Sequence, residues 1–280
     1  MNQDPALKPA DLERFCEFLY QRTGMVFGES KRYYIERRIA DRVKATGSGH
    51  FSDWFATLRN RPGELEAMIN AFTVNETYFY REDHQLRALS RSILPAIART
   101  KGPGDKIRIW SVPCSTGEEP YSIAIWLLEN WPMVDAYNVE IVGSDIDTEA
   151  LQAARLGRFG DRALQRLPAD VIQRYFEQRR PGEHEIIQDL KESVAFTPAN
   201  LIEGDSVADQ GGFEVIFCRN VLIYFDDAAR ARAVDNLYTA LRPGGFICLG
   251  HTESMSRISD RFDTCRFEDA VVYRRPERRT

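Results

Sequence analysis

The sequence lacks several patterns that would indicate a membrane, an oxidising compartment or a metal. No apolar run is long enough to span a bilayer, and the N-terminus does not resemble a signal peptide. The five cysteines are scattered without a CxxC pair, which is typical of reduced thiols in the cytoplasm. The four histidines show no ligand spacing and do not cluster with the cysteines, so we predict no metal. We therefore expect a cytoplasmic protein without direct membrane insertion.

The chain also lacks the glycine-rich fingerprints of dinucleotide and nucleoside triphosphate sites. A net charge of −5 gives no global attraction to nucleic acid, so we predict no such partner. Residues 111–120 nevertheless join a strand pattern to a helix pattern, with Glu118 and Glu119 at the helix start. Two carboxylates there repel phosphate and suit a cation or ligand hydroxyl groups. This favours S-adenosylmethionine, whose sulfonium is positive and which carries no phosphate.

The patterns that are present change near residue 74. Residues 1–74 have helical periodicity and predict a small four-helix N-terminal domain. A linker and connecting helix follow at 75–100, and strand and helix patterns then alternate from 101 to 280. They predict an α/β fold with a mostly parallel sheet and an antiparallel edge strand. Residues 185–188 and 193–196 could pair as a short antiparallel excursion.

An acidic residue follows the second predicted strand. Asp145 stands where a carboxylate can accept hydrogen bonds from both hydroxyls of an adenosine ribose. Asp147 is equally well interpreted as the cap of the helix that starts at Thr148. Two further stretches allow two interpretations each. Residues 31–44 are basic and form either a solvated helix face or a docking surface for an acidic partner. Residues 73–81 are rich in aromatic side chains, which either pack against the linker or form one wall of a ligand site.

Six motifs resemble, in content and order, those of the S-adenosylmethionine-dependent chemotaxis receptor methyltransferases, the CheR family. They are NETYFYR at 75–81, CSTGEEPYS at 114–122, GSDIDT at 143–148, FCRNVLIYF at 217–225, LRPGG at 241–245 and GHTES at 250–254. A single one of these motifs would be weak evidence. Six in series, spread over nearly the whole chain, make the resemblance highly specific.

The resemblance implies a Rossmann-like class I methyltransferase domain, an all-α N-terminal domain and a small antiparallel β-subdomain inserted near residues 180–197. It implies methyl transfer from S-adenosylmethionine to glutamate carboxylates in the cytoplasmic signalling helices of chemoreceptors, with methyl esters and S-adenosylhomocysteine as products. The motif positions would place these residues in the cofactor site: Asn75, Thr77, Arg81, Glu119, Asp145, Asn200, Leu201, Arg219 and Asn220. Arg81 and Tyr224 would face the reacting centre.

The sequence departs from the family pattern at two places. Pro113 stands where the family commonly has glycine or alanine, and proline fixes φ and removes a donor. Residues 179–192 lack the glycine-rich turn of members that tether to a receptor's C-terminal pentapeptide, so we expect the protein to bind receptors without that tether. We also expect a monomer. The alternatives are a methyltransferase for nucleic acids or small molecules, and a cofactor-binding scaffold or sensor without turnover. Against base methylation, residues 219–222 lack an Asn-Pro-Pro-aromatic clamp.

Overall fold

The computed structural model describes residues 7–277, which separate into two compact units. The ends of the predicted domains, at residues 1–6 and 278–280, lie outside the described residues. The first unit comprises the described residues up to 74 together with 224–229. Its helices are α1 (Pro9–Thr23), α2 (Arg32–Thr46), α3 (Phe51–Thr57) and α4 (Pro62–Phe72).

Local sequence explains where these helices begin and end. Pro9 and Pro62 occupy first helical turns, where a missing N–H costs nothing. Gly24 and Gly47 end α1 and α2 in the left-handed region, with φ of 73° and 67°. The apolar faces meet in a core rich in aromatic side chains, which includes Phe15, Trp54 and Phe72. The unit is therefore a helical bundle with a hydrophobic core of its own.

The segment 224–229 joins this helical unit through backbone contacts. Phe225 forms an isolated antiparallel bridge with Met25, and the N–H of Val26 donates to the carbonyl oxygen of Tyr224 at 2.8 Å. The Tyr20 hydroxyl donates to the Asp226 carboxylate at 3.2 Å. A short piece of the C-terminal half of the chain is thus part of the N-terminal unit.

The second unit, residues 75–223 and 230–277 of the described chain, is built around a seven-stranded sheet with the order β6-β2-β1-β7-β8-β10-β9. The strands are β1 (Lys106–Ser111), β2 (Asn138–Asp145), β3 (Arg158–Gly160), β4 (Phe176–Arg180), β5 (Glu183–Ile186), β6 (Val194–Pro198), β7 (Phe213–Cys218), β8 (Leu241–Leu249), β9 (Asp263–Arg266) and β10 (Val271–Arg274). The five strands from β6 to β8 are parallel neighbours, and β10 and β9 continue the sheet antiparallel. Every residue of the central strand β7 is buried.

The helices of this unit include the crossovers that join its parallel strands. They are α5 (Asp83–Ala88), a π-helical turn (Leu89–Ile93), α6 (Leu94–Ala98), α7 (Glu118–Asn130), α8 (Thr148–Leu156), α9 (Asp161–Leu164), α10 (Ala169–Tyr175), α11 (Gln188–Ser193), α12 (Gly204–Ala208) and α13 (Asp227–Ala240). The predicted α/β fold with an all-α N-terminal part and a small antiparallel sheet is confirmed. Within residues 7–277, no helix is long and apolar enough to cross a membrane.

The predicted pairing of residues 185–188 with 193–196 is wrong. The strand β5 pairs antiparallel with β3 and β4 instead, so the small sheet uses residues 158–160 and 176–186 rather than the range 180–197. Val194 is buried opposite Ile141, and β6 pairs parallel with β2 in the main sheet. The reason is that an apolar strand gains more burial at the edge of the large sheet than in a small surface hairpin.

Candidate active site

The loops after β1, β2, β6, β7 and β8 leave the main sheet at the same edge, because parallel strands share a direction. The loop after β1 makes a tight turn into α7. Gly117 has a φ of 97°, and a Cβ placed there would lie 2.9 Å from the Ala154 Cβ. Only glycine allows this approach, so the loop after β1 packs tightly against α8 as it turns into α7.

Asp145, at the end of β2, binds the backbone of this loop. Its Oδ2 accepts a hydrogen bond from the Ser115 N–H at 2.7 Å, and its Oδ1 accepts one from the Asp147 N–H at 2.9 Å. Burial raises the pKa of Asp145 to about 6, although these two amide donors act in the opposite direction. The carboxylate is therefore fixed in place, and its charge carries a cost that further donors would reduce.

Asn75 and Asp147 lie beside this loop. Asn75 Nδ2 donates to Asp147 Oδ2 at 2.7 Å, and Ser115 Oγ donates to Asn75 Oδ1 at 2.9 Å. The second oxygen of Asp147 caps α8 by accepting from the Ala150 N–H at 2.9 Å. The helix-cap interpretation of Asp147 is confirmed, and the structure also brings the predicted site residue Asn75 to the loop after β1.

Glu119 and Arg219 form a buried ion pair one strand further along. Arg219 Nη1 donates to Glu119 Oε2 at 2.8 Å, and Ser111 Oγ donates to Glu119 Oε1 at 2.7 Å. Burial raises the pKa of the Glu119 carboxyl, and the charge of Arg219 partly offsets this effect. The pair joins the start of α7 to the loop after β7.

The other end of the Arg219 guanidinium holds the segment that precedes α5. Its Nη2 donates to the carbonyl oxygen of Arg81 at 2.6 Å and lies 3.3 Å from Glu82 Oε2. The side chain of Arg219 is 4% exposed, and among the described residues its Nε has no hydrogen-bond partner. Arg219 thus has a structural role in addition to its predicted cofactor contact, and one buried donor remains for a ligand acceptor.

Glu82 is a site residue that the sequence analysis missed. Its Oε1 lies 2.9 Å from His251 Nδ1, and its Oε2 accepts from Gln85 Nε2 at 3.2 Å. Although burial acts in the opposite direction, Arg219 and His251 hold the pKa of Glu82 below its ordinary value. The only sequence signal was its position directly after the NETYFYR motif.

The segment 75–82 is anchored on α7 and on α9. The backbone N–H of Tyr80 donates to Ser122 Oγ at 3.0 Å, and the Phe79 N–H donates to the carbonyl oxygen of Ala163 at 2.9 Å. Arg81 Nη1 donates to the carbonyl oxygen of Glu76 at 2.6 Å. This segment is therefore held in one conformation by both its side chains and its backbone.

Thr77 and Arg81 are half-buried side chains of the same segment. The Arg81 guanidinium carbon lies 5.7 Å from the centre of the Tyr78 ring, within the range of a cation–π contact. Tyr78 also lines a cavity of about 330 Å³ together with Tyr80, Glu82, Asp83 and Arg166. The predicted transfer residue Arg81 thus lies beside an open cavity, whereas Tyr224 belongs to the helical unit and its role stays a prediction.

Asn200 and Leu201 follow β6, next to Asp145. Pro198 is the register partner of Asp145, and the Ala199 N–H donates to the Asp145 carbonyl oxygen at 3.0 Å. The Asn200 N–H donates to Ser206 Oγ at 2.9 Å, and Leu201 is 6% exposed. The structure therefore brings these two predicted residues to the same edge as the carboxylate of Asp145.

Two matches with known families cover most of the described residues. Residues 75–271 match "CheR methyltransferase, SAM binding domain", and residues 10–73 match "CheR methyltransferase, all-alpha domain". The chain belongs to the CheR family. It is similar to chemotaxis protein methyltransferase 2 of Vibrio cholerae, with 47% identity over 96% of this chain and 93% of the relative.

Other CheR relatives match over similar lengths. They include chemotaxis protein methyltransferase 2 of Pseudomonas aeruginosa, with 37% identity over 92% of this chain and 91% of the relative. The chemotaxis protein methyltransferase of Salmonella typhimurium has 37% identity over 94% of this chain and 90% of the relative. The protein is thus an S-adenosylmethionine-dependent methyltransferase of the CheR family, and the predicted cofactor and enzyme class are confirmed.

The residues at the sheet edge fit this cofactor. Asp145 and Glu119 supply acceptors for hydroxyl and amino groups, and both carboxylates lie at the edge where the loops after β1 and β2 leave the sheet. Arg219 Nε supplies a buried donor without a partner among the described residues. Residues 7–277 contain no group of three or more potential metal ligands.

Proposed function

We propose that this CheR protein transfers a methyl group from S-adenosylmethionine to glutamate side chains in the cytoplasmic signalling helices of chemoreceptors. The products are glutamate methyl esters and S-adenosylhomocysteine, and the protein works in the cytoplasm during receptor adaptation. The observation that carries the proposal is the acidic edge at Asp145 and Glu119, together with Arg219, which bonds both to Glu119 and to the backbone carbonyl oxygen of Arg81. The names of the relatives, chemotaxis protein methyltransferases, support the same pathway.

The acidic residues would hold the cofactor. Asp145 would accept hydrogen bonds from the two ribose hydroxyls, and Glu119 would bind the amino group of the methionine part. Asn75, Thr77, Asn200, Leu201 and Asn220 would complete the walls. When bound, S-adenosylmethionine supplies an electrophilic methyl group on a positively charged sulfur.

The residues around the acceptor would act by orientation and by exclusion of water. A glutamate carboxylate is already ionised near pH 7, so the reaction needs no general base. Arg81 would orient the carboxylate so that one oxygen forms the new bond to carbon while the carbon–sulfur bond breaks. Tyr78, Tyr80 and Tyr224 would keep water away from the carboxylate, which favours a reaction in which two charges disappear.

The basic helix α2 would dock the acidic surface of a receptor. Arg37 and Lys44 are exposed on it, and so is Lys31, which directly precedes the helix. Tyr33, in the first turn, is 75% exposed. Arg42 is different, because it lies in an ion pair with the buried carboxylate of Glu64 and serves the helical core. Positive charge at the remaining positions would speed the encounter with an acidic partner.

Binding would not need a receptor pentapeptide tether. The strands β4 and β5 are joined by the two-residue turn Pro181–Gly182, in which Gly182 has a φ of 78°. This turn is too short to add the glycine-rich loop of tethered family members. A tight complex with a receptor's terminal pentapeptide in calorimetry would contradict this part of the proposal.

Methyl labelling tests the proposed reaction. Purified protein is incubated with receptor-containing membranes and methyl-labelled S-adenosylmethionine, and the receptor band is treated with base. We expect label that is released as methanol, which identifies an ester. Base-stable label would indicate another acceptor atom, and binding of the cofactor without any label would indicate a scaffold or sensor. Alanine at Lys31, Arg37 and Lys44 together should raise the KM for receptor without changing the Kd for the cofactor.

A further inference from the structure

The loop after β8 contains a glutamate that lies outside the predicted site residues. Glu253 Oε2 accepts hydrogen bonds from the backbone N–H groups of Asn220 at 2.9 Å and Gly250 at 2.8 Å. Its Oε1 accepts from those of Val221 at 3.0 Å and Leu222 at 2.7 Å. Four backbone donors thus converge on one carboxylate, and three of them belong to the loop after β7.

The loop after β7 needs such an anchor. Asn220 has a φ of 59°, in the left-handed region, which is less favourable than the right-handed region for residues with a side chain even though asparagine tolerates it better than most. A Cβ on Gly250 would lie 2.7 Å from Asn220 Nδ2 and 2.8 Å from Glu253 Oε2. The two loops can therefore approach this closely only with glycine at that position.

We infer that Glu253 is a positioning residue of the cofactor site. It acts through the backbone, because its carboxylate holds the loop after β7 in the conformation that presents Arg219 and Asn220 to the methyl donor. The inference rests on the proposed function, which assigns those two residues to the cofactor.

A second side chain of the loop after β8, that of His251, is linked to Arg219 through Glu82. His251 contacts Glu82, and Glu82 in turn contacts Arg219. The side chain of Arg219 and the backbone of Asn220 are thus both held from this one loop. The GHTES motif, noticed in the sequence without a role, thereby acquires one.

The chemistry of the side chain explains why a carboxylate is needed. An ionised carboxylate offers acceptors on both oxygens, so it can serve all four N–H groups. Glutamine has the same length but only one oxygen. In Glu253→Gln its NH₂ group would face two backbone donors, those of Asn220 and Gly250 or those of Val221 and Leu222.

The test is calorimetric titration of full-length Glu253→Gln with S-adenosylmethionine. We expect the Kd to rise about tenfold or more, as for the loss of hydrogen bonds to a charged group. With saturating donor, methyl transfer to receptor should stay within about twofold of wild type. Glu268→Gln, the same change at an exposed residue between β9 and β10, should leave both quantities unchanged. A merely structural role would lower the number of binding sites per chain and leave the Kd of the folded fraction unaltered.

A second variant approaches the same contact from the other side. Gly250→Ala adds the methyl group that collides with Asn220 and Glu253, so it should raise the Kd in the same way. A wild-type Kd in either folded variant overturns the inference, and if Glu253→Gln does not fold, Gly250→Ala decides. Failure of the wild-type protein itself to bind the donor would instead contradict the assignment of the cofactor site. Binding without transfer would contradict only the proposed reaction.

Discussion

The pKa of Asp145 makes a quantitative prediction about cofactor binding. In the free protein burial raises this pKa to about 6, although the backbone donors of Asp147, Ser115 and Ile146 favour the charged form. Ribose hydroxyls that donate to the carboxylate would favour its charged form, so binding should be coupled to loss of a proton. The affinity for S-adenosylmethionine should therefore be highest above pH 7 and fall as the pH drops through 6.

The size of the effect follows from the position of the pKa. At pH 5 roughly one carboxyl in ten is ionised, so the Kd should be about tenfold higher than at pH 7.5. Calorimetry between pH 5 and 8 measures this directly, with proton uptake or release read from buffers of different ionisation enthalpy. Asp145→Asn removes the titrating group and supplies the control. It should bind about 10- to 100-fold more weakly at pH 7.5, because charge-assisted hydrogen bonds are lost, and its Kd should vary little across the range.

A wild-type Kd that stays constant from pH 5 to pH 8 would refute the reasoning. So would an Asp145→Asn variant that keeps the full pH dependence, because another group would then be responsible. The ion pair of Glu119 with Arg219 provides an internal comparison. Glu119→Gln should weaken binding while the midpoint near pH 6 remains, since Asp145 is intact in that variant.

Three further predictions concern methyl transfer, the tight turn at Gly117 and the stability of the helical unit. Arg81→Ala should lower turnover more than it changes the Kd for S-adenosylmethionine, because its guanidinium is assigned to the acceptor; unchanged turnover in steady-state assays would contradict that role. Gly117→Ala should raise the Kd for the cofactor at least about tenfold, because the added methyl group meets the Ala154 Cβ at 2.9 Å, a φ of 97° disfavours alanine, and the loop after β1 would have to shift. Calorimetry measures the Kd, and wild-type affinity would show that cofactor binding does not depend on this tight turn. Glu64→Ala should lower the free energy of unfolding by about 3 kcal/mol, because it leaves the Arg42 charge and the buried indole N–H of Trp54 without their acceptor. Urea denaturation measures the loss, and a change below about 1 kcal/mol would show that the ion pair of Arg42 with Glu64 contributes little to stability.

Local patterns predicted the main sheet well. The run Phe213–Cys218 is apolar at nearly every position and forms the fully buried strand β7, because only a central parallel strand buries both faces. Asp145 was found because an acidic residue directly after a predicted strand lies at the carboxyl edge of a parallel sheet. Glu119 was noticed as one of two carboxylates at the start of a helix, and the family resemblance implied its role in the cofactor site. An antiparallel edge of the sheet was also predicted, and the antiparallel strands β10 and β9 form it.

The small sheet was not predictable from local pattern. The strands β3 and β4 have three and five residues, most of them exposed, so they carry little hydrophobic periodicity. Their pairing with β5 depends on tertiary packing and not on an apolar run. The run that starts at Val194 was correctly predicted as a strand but was paired with the wrong partner. Its β-forming residues indicate a strand without indicating which sheet it joins.

The contacts that hold the site together were invisible for a different reason. Arg219 bonds to Glu119 and to the carbonyl oxygen of Arg81, 100 and 138 residues away along the chain. Glu253 reaches back 31 to 33 residues to the loop after β7. Periodicity describes neighbours along one element, whereas these bonds join loops from different elements. Motifs could name the residue types, but the fold alone assigns their partners.

The electrostatics of the edge explain why this site suits a positively charged methyl donor. Burial raises the pKa of Glu118, Glu119 and Asp145, and the one buried guanidinium among them, Arg219, is already shared between two carboxylates. These carboxylates therefore carry more negative charge than Arg219 offsets, and a ligand with a phosphate would add further negative charge. A ligand with a sulfonium, an ammonium and hydroxyl donors instead stabilises the charge of these carboxylates. Loss of the methyl group removes the sulfonium charge, so Asp145 and Glu119 should favour the positively charged donor, S-adenosylmethionine, over the product, S-adenosylhomocysteine. Raising the ionic strength should reduce this preference only slightly, because both carboxylates are shielded from solvent.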